Sequence, residues 1–127
     1  MQRAAAVTRI LVRAAGIVQI VLGLLLWLGY AKGLVSVHML VGLVLVLGLW
    51  ILAGLALRAG AGAGPMAVAV AWGIVVVALG LTQTRLLQGS LHWIVQAVHL
   101  LVGLGAMGQA EGLAARVLTR PAATATG

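Results

Sequence analysis

Long apolar runs separated by short breaks constrain this chain more than any other feature. Four follow one another, roughly Ile10 to Tyr30, Leu34 to Leu57, Met66 to Leu87 and Leu91 to Leu118. Each is close to or above the ~20 residues that an α-helix needs to cross a bilayer. Hydrocarbon offers no partner to a free N–H or C=O, so a run that enters it closes its hydrogen bonds within itself, as a helix. The expectation is an all-α fold, an integral membrane four-helix bundle, with residues 1–127 as a single transmembrane domain. The first run is longer than the ~7–15 residue apolar stretch of a secretory signal, and no small-residue cleavage site follows it, so a cleavable leader is not expected.

The breaks have the character of turns. Ala31-Lys32-Gly33 separates the first two runs and Gln88-Gly89-Ser90 the last two. Arg58 and the glycine-rich Ala59 to Gly64 lie between the middle two. That glycine stretch has no phosphate-loop lysine and no preceding strand, so it reads as a loop. Pro65 suits the start of the third helix, where a missing N–H is harmless. Met1 to Arg13 reads as a short basic head, Arg120-Pro121 as the end of the fourth helix, and Ala122 to Gly127 as a frayed tail.

Charge is scarce: 7% of residues, against 64% hydrophobic, where a soluble domain carries about 25% charged. The net charge of +7 does not point to nucleic acid, because the eight basic residues punctuate apolar runs instead of forming a basic face with interleaved aromatics. They report orientation. Arg3, Arg9, Arg13, Arg58, Arg116 and Arg120 fall at the end of the bundle that holds both termini, and only Lys32 and Arg85 at the other. The positive-inside rule then places both termini in the cytoplasm, in a multi-pass protein of the cell inner (plasma) membrane. Trp27, Trp50, Trp72 and Trp93 read as interfacial anchors.

Within the apolar runs one hexapeptide is nearly repeated, His38-Met-Leu-Val-Gly-Leu43 and His99-Leu-Leu-Val-Gly-Leu104. The likeness extends upstream, where Gly16-Ile-Val-Gln-Ile-Val-Leu-Gly-Leu24 matches Gly73-Ile-Val-Val-Val-Ala-Leu-Gly-Leu81. The reading is two tandem helical hairpins related by an axis along the membrane normal. On a helix, His38 and Gly42 share a face about 6 Å apart along the axis, as do His99 and Gly103. Each copy thus presents an imidazole with bare backbone one turn further on.

A histidine inside a membrane helix is costly and is usually functional. Two of them at equivalent positions, both in the half away from the termini, suit the bis-imidazole ligation of an electron-transfer haem. The expected cofactor is haem b, with His38 and His99 as metal ligands and Gly42 and Gly103 as the floor for the macrocycle. Zinc fits less well, because two histidines leave its tetrahedral shell half filled. Gly16, Gly23, Gly73 and Gly80 would let the first and third helices approach the cofactor edge, with Ala106 and Ala110 continuing the small face of His99. His92, two turns before His99, is a candidate for a haem propionate. Of the two cations at that end, Arg85 is the favoured propionate partner over Lys32. Met39 and Met107 read as packing residues. Glu111, the one acid, lies about 18 Å along its helix from His99, too far to act at the same centre.

The run Gly80-Leu-Thr-Gln-Thr-Arg-Leu-Leu-Gln-Gly-Ser-Leu-His-Trp-Ile-Val-Gln-Ala-Val-His-Leu-Leu-Val-Gly-Leu104 resembles one half of the haem A synthase family. That resemblance implies a four-helix bundle whose second and fourth helices hold a haem through histidines near their start, the positions of His38 and His99. Two family features have no counterpart here. The family's catalytic carboxylate precedes the second-helix histidine, where this chain has Leu34-Val-Ser-Val37, and the family's cysteine pair is missing because the chain has no cysteine. The resemblance therefore implies haem binding without haem A synthesis.

With almost no catalytic inventory beyond the histidines, an enzyme is the least favoured class. The favoured reading is a b-type cytochrome or haem-binding subunit that carries electrons. Its partners would be the lipid bilayer and a larger membrane complex or a second copy of the chain. The alternatives are a cofactor-free structural or assembly subunit of a respiratory or photosynthetic complex, and a pigment holder in which each histidine ligates its own chlorophyll-type magnesium.

Overall fold

The computed structural model describes residues 1–119; Arg120, Pro121 and the segment 122–127, read above as a helix end and tail, lie outside the described residues. Four helices make an all-α bundle: α1 Gln2–Trp27, α2 Val35–Arg58, α3 Ala63–Thr82 and α4 His92–Leu118. Each is long and apolar enough to cross a membrane. Short 3-10 turns cover Lys32–Leu34, Gln83–Arg85 and Gly89–Leu91.

Glycines set two helix ends: α1 stops at Trp27, short of the expected Tyr30, and α2 at Arg58, next to the expected Leu57. After Trp27 the chain turns through Gly29 at φ 81, and the Tyr30 N–H reaches back to the Leu25 carbonyl at 2.9 Å. After Arg58 the same closure recurs, with Gly60 at φ 77 and Ala61 N–H on the Ala56 carbonyl at 2.9 Å. Both are Schellman ends, which satisfy the last carbonyls through a residue in the left-handed region.

Other boundaries differ from expectation. α1 begins at Gln2, not Ile10. Hydropathy marks where hydrocarbon begins, whereas Gln, Arg and Ala are strong helix formers that carry the helix on into water. The basic head is thus part of α1, and it is docked: Ala5 and Val12 are buried. A side chain on Gly48 of α2 would come within 2.5 Å of Val12. α3 starts at Ala63, with Pro65 in its first turn, where N–H groups lack intrahelical partners anyway. It stops at Thr82, short of Leu87; the Thr82 hydroxyl donates back to the Ala78 carbonyl at 2.7 Å. Such a bond to the carbonyl one turn back bends a helix slightly.

Helices α1–α2 and α3–α4 form the two hairpins. α2 touches all three other helices, α4 packs on α1, α2 and α3, and α1 and α3 do not meet. The half near the termini is closed by Leu45, Val46, Leu49 and Leu52 of α2 against Ala106, Ala110, Leu113 and Ala114 of α4. Outside, large apolar side chains such as Ile10, Leu40, Ile51, Ile74 and Leu101 are exposed. A water-facing surface would be charged; this one suits lipid.

Small residues let the helices close in. Ala106 and Ala110 serve this packing rather than a ligand face, since both are buried against the neighbouring helices. Trp50 and Trp72 are also taken up by the bundle instead of standing at its surface. Trp50 packs on Gly73, and Trp72 packs on Gly105 and donates its indole N–H to the Val102 carbonyl at 2.9 Å. Trp27 and Trp93 are the exposed pair.

At the terminal half, Glu111 of α4 is bound by two arginines of α1. Arg9 donates from Nε at 2.7 Å, and Arg13 makes a forked contact at 2.5 and 2.8 Å. The sequence carries little sign of this tie. Its only signal there is that Arg9 and Arg13 are spaced i, i+4, on one helix face, in a chain with a single acid.

Candidate cofactor site between α2 and α4

The half of the bundle away from the termini is open where the other half is packed. A cavity of about 850 Å³ lies among all four helices there. That is within the ~300–1,000 Å³ typical of cofactor pockets. His38 of α2 and His99 of α4 both line it. Their ring centroids stand 6.3 Å apart, with the planes at 57°. His38 is 9% exposed.

Each histidine is backed by a glycine of its own hairpin. A Cβ on Gly23 of α1 would lie 3.3 Å from His38 Cε1, and one on Gly80 of α3 would lie 3.5 Å from His99 Cε1. The sequence repeat is therefore a repeat in space, and only the second glycine of each pair belongs to the site. Gly16 receives Met107 and Gly73 receives Trp50. Met39 and Met107 line the same cavity.

The two glycines expected to floor a macrocycle are not equivalent. Gly103 faces open space: a Cβ placed there would have no neighbour within 4 Å. The notch at Gly42 is filled by the amide of Gln19, whose Nε2 would lie 2.6 Å from a Cβ. The same Nε2 is 3.3 Å from His38 Nε2. Sequence reasoning misses Gln19 because a lone amide in an apolar helix carries no spacing signal.

The rim of the cavity away from the termini is polar, with Lys32, Gln83, Thr84, His92 and Gln96 among its lining. Arg85 is not part of it; it lies exposed on the 3-10 turn after α3. Of the two cations at this end of the bundle, Lys32 lines the cavity and Arg85 does not. His92 lies at the mouth, with Nδ1 3.2 Å from the Leu86 carbonyl, and so also pins the α3–α4 turn.

Three buried polar atoms at the centre have no hydrogen-bond partner among the described residues: Nδ1 of His38, Nδ1 of His99 and Oε1 of Gln19. Buried polar groups are nearly always satisfied, so such a cluster points to a ligand or ordered water. Among the described residues no group of three or more His, Asp or Glu side chains converges to hold a bare ion. A haem does not need one, since its macrocycle supplies four nitrogens and the protein adds only the axial pair. An imidazole nitrogen stands about 2 Å from the metal it ligates, and its ring centroid about 1 Å further back, so two imidazoles sharing one ion have centroids about 6 Å apart. The observed 6.3 Å fits that arrangement. No protein-family model matches this chain, and neither a curated protein nor a solved structure does.

Proposed function

We propose that the protein is a membrane haem-binding protein of the b-type cytochrome class, which carries electrons through one haem b between α2 and α4. The observation that carries this reading is the His38–His99 pair, 6.3 Å apart across a cavity between two membrane-length helices. The resemblance to one half of the haem A synthase family supports it. Two separate pigments fit less well, because 6.3 Å leaves room for one metal plane and not for two stacked macrocycles.

When bound, the haem supplies a one-electron ferric–ferrous couple. The chain's own work is to hold and shield it. His38 and His99 would hold its iron from two helices that are locked together about two turns further on, where Leu45 and Val46 of α2 and Ala106 of α4 join the packed core. Holding both imidazoles on a packed pair of helices would limit their movement as the iron changes oxidation state. Apolar walls such as Leu24, Val76 and Leu100 exclude water from the ring. Lys32 and His92 offer positive or donor groups to the propionates at the mouth. The deciding experiment is the reduced-minus-oxidised spectrum of the purified protein. Narrow α and β bands of a low-spin haem are the expected result. Absence of visible absorption would leave a cofactor-free structural subunit.

Replacing Lys32 and Arg85 separately tests the mouth. Lys32→Gln is expected to lower the midpoint potential by on the order of tens of millivolts, because a cation near the propionates favours the reduced centre. Arg85→Gln should leave it unchanged in the same redox titration.

For orientation, the proposal is that both termini and the α2–α3 loop lie in the cytoplasm, with the cavity mouth on the opposite side of the inner (plasma) membrane. Arg3, Arg9, Arg13, Arg58 and Arg116 lie at the terminal end of the described chain, against Lys32 and Arg85 at the other. Cysteines introduced at Ala61 and Gly33 should react with an impermeant thiol reagent from opposite sides of sealed vesicles. Labelling of Gly33→Cys from the cytoplasmic side would reverse the assignment.

A further inference from the structure

The repeat that relates α1 to α3 agrees at both glycines and differs between them: Gln19 stands in α1 where Val76 stands in α3. The difference falls on the site. Gln19 fills the notch at Gly42 and brings its amide to 3.3 Å from His38 Nε2. At the other histidine the equivalent position is an apolar valine, and the notch at Gly103 holds nothing. With Nε2 as the acceptor, the lone pair that the Gln19 N–H engages is the one that a metal would take. His38 therefore has a competing partner inside the protein and His99 has none.

This inference rests on the haem reading above. We propose that Gln19 makes His38 the exchangeable axial ligand and His99 the permanent one, so that a small neutral ligand such as carbon monoxide binds ferrous iron in place of His38. In that exchange the iron–Nε2 bond to His38 breaks and the iron–carbon bond forms. No electron or proton changes hands. The released lone pair passes to the Gln19 N–H instead of being left bare in apolar surroundings, where an unpaired polar atom is costly. His99 has no such refuge. Gln19 acts through His38 and is a positioning residue.

The test is a carbon monoxide titration of the reduced, haem-loaded full chain, followed optically. Wild type should form the carbonyl adduct. Gln19→Val, which copies the other half of the repeat, should keep the low-spin α and β bands and lose about five- to tenfold in carbon monoxide affinity, one hydrogen bond's worth. Gly42→Ala, which pushes the Gln19 amide out of its notch, should produce the same loss without touching the amide itself. His38→Ala should retain haem as a high-spin form and bind carbon monoxide at least about tenfold more tightly, having no internal competitor. Unchanged affinity in both Gln19→Val and Gly42→Ala would overturn the proposal. So would a wild type that holds low-spin haem but refuses carbon monoxide at saturating gas. Loss of haem from both variants would also overturn it, since Gln19 would then belong to the cofactor's grip. A wild type with no haem bands at all would instead refute the haem reading on which the proposal stands, which separates the two failures.

Discussion

If one haem is shared as proposed, His38→Ala and His99→Ala should each abolish its low-spin spectrum, while His92→Ala should leave it in place. The reason is coordination number. The two ring centroids stand 6.3 Å apart, a gap that fits one ion, so losing His38 would leave five-coordinate, high-spin iron, and losing His99 would do the same or release the haem. Of the other side chains lining the cavity, only Met39 and Met107 offer a sulfur donor, and Met107 is engaged with Gly16. His92 is held at the mouth by the Leu86 carbonyl and can act only on the propionates or on water access. Its loss should shift the potential without changing spin state. If the rings held separate pigments, each single variant would keep about half the absorbance with its band shape intact, since each site would be independent of the other. If His92→Ala removed the spectrum and His99→Ala did not, the axial ligand would lie about two turns nearer the membrane surface than the cavity indicates.

The second large effect is expected at a pair of positions that the repeat makes equivalent. Gly73→Ala should destabilise the bundle by about 1–3 kcal/mol, the usual range for forcing a methyl into a packed core. Gly16→Ala should cost much less. A Cβ at Gly73 would run into Trp50, with Cε2 at 2.9 Å and Val46 Cγ1 at 3.0 Å. Trp50 is a rigid, partly buried indole packed against the core, with little freedom to move aside. A Cβ at Gly16 would meet the far end of Met107, with its sulfur at 2.6 Å. Methionine has several rotatable bonds and open cavity beside it, so it can swing aside. Equilibrium unfolding of both variants in detergent micelles reads the difference. Equal destabilisation would mean that Met107 is as fixed as Trp50, and that the cavity does not yield at its lower edge.

The sequence by itself determined the helical bundle, its hairpin pairing and the two histidines that meet. These follow from one-dimensional signals: run length against bilayer thickness, breaks such as Ala31-Lys32-Gly33 and the glycine-rich Ala59 to Gly64, and a repeat with His and Gly at i, i+4. His38 and His99 could be paired without coordinates because equivalent positions of tandem hairpins end at similar depth. Helix limits were legible only where a glycine or turn set them. α1 ran on to Gln2 because helix propensity outlasts hydropathy, and α3 gave way after Thr82 to a 3-10 turn over Gln83–Arg85.

Only the tertiary structure decided which side chains face the site and which face a neighbour. Helices α2 and α3 are apolar on nearly every side, so their sequences do not specify rotation about their own axes. Packing does that, through Gly48 on Val12, Gly73 on Trp50 and Gly105 on Trp72. That rotation put Trp50 and Trp72 inside the bundle and brought Gln19 onto His38. It also set Glu111 between Arg9 and Arg13, whose guanidinium groups approach it from another helix. The same packing left Lys32, and not Arg85, lining the cavity. Contacts of this kind depend on how neighbouring surfaces interlock, and an apolar run of nearly uniform letters does not record them.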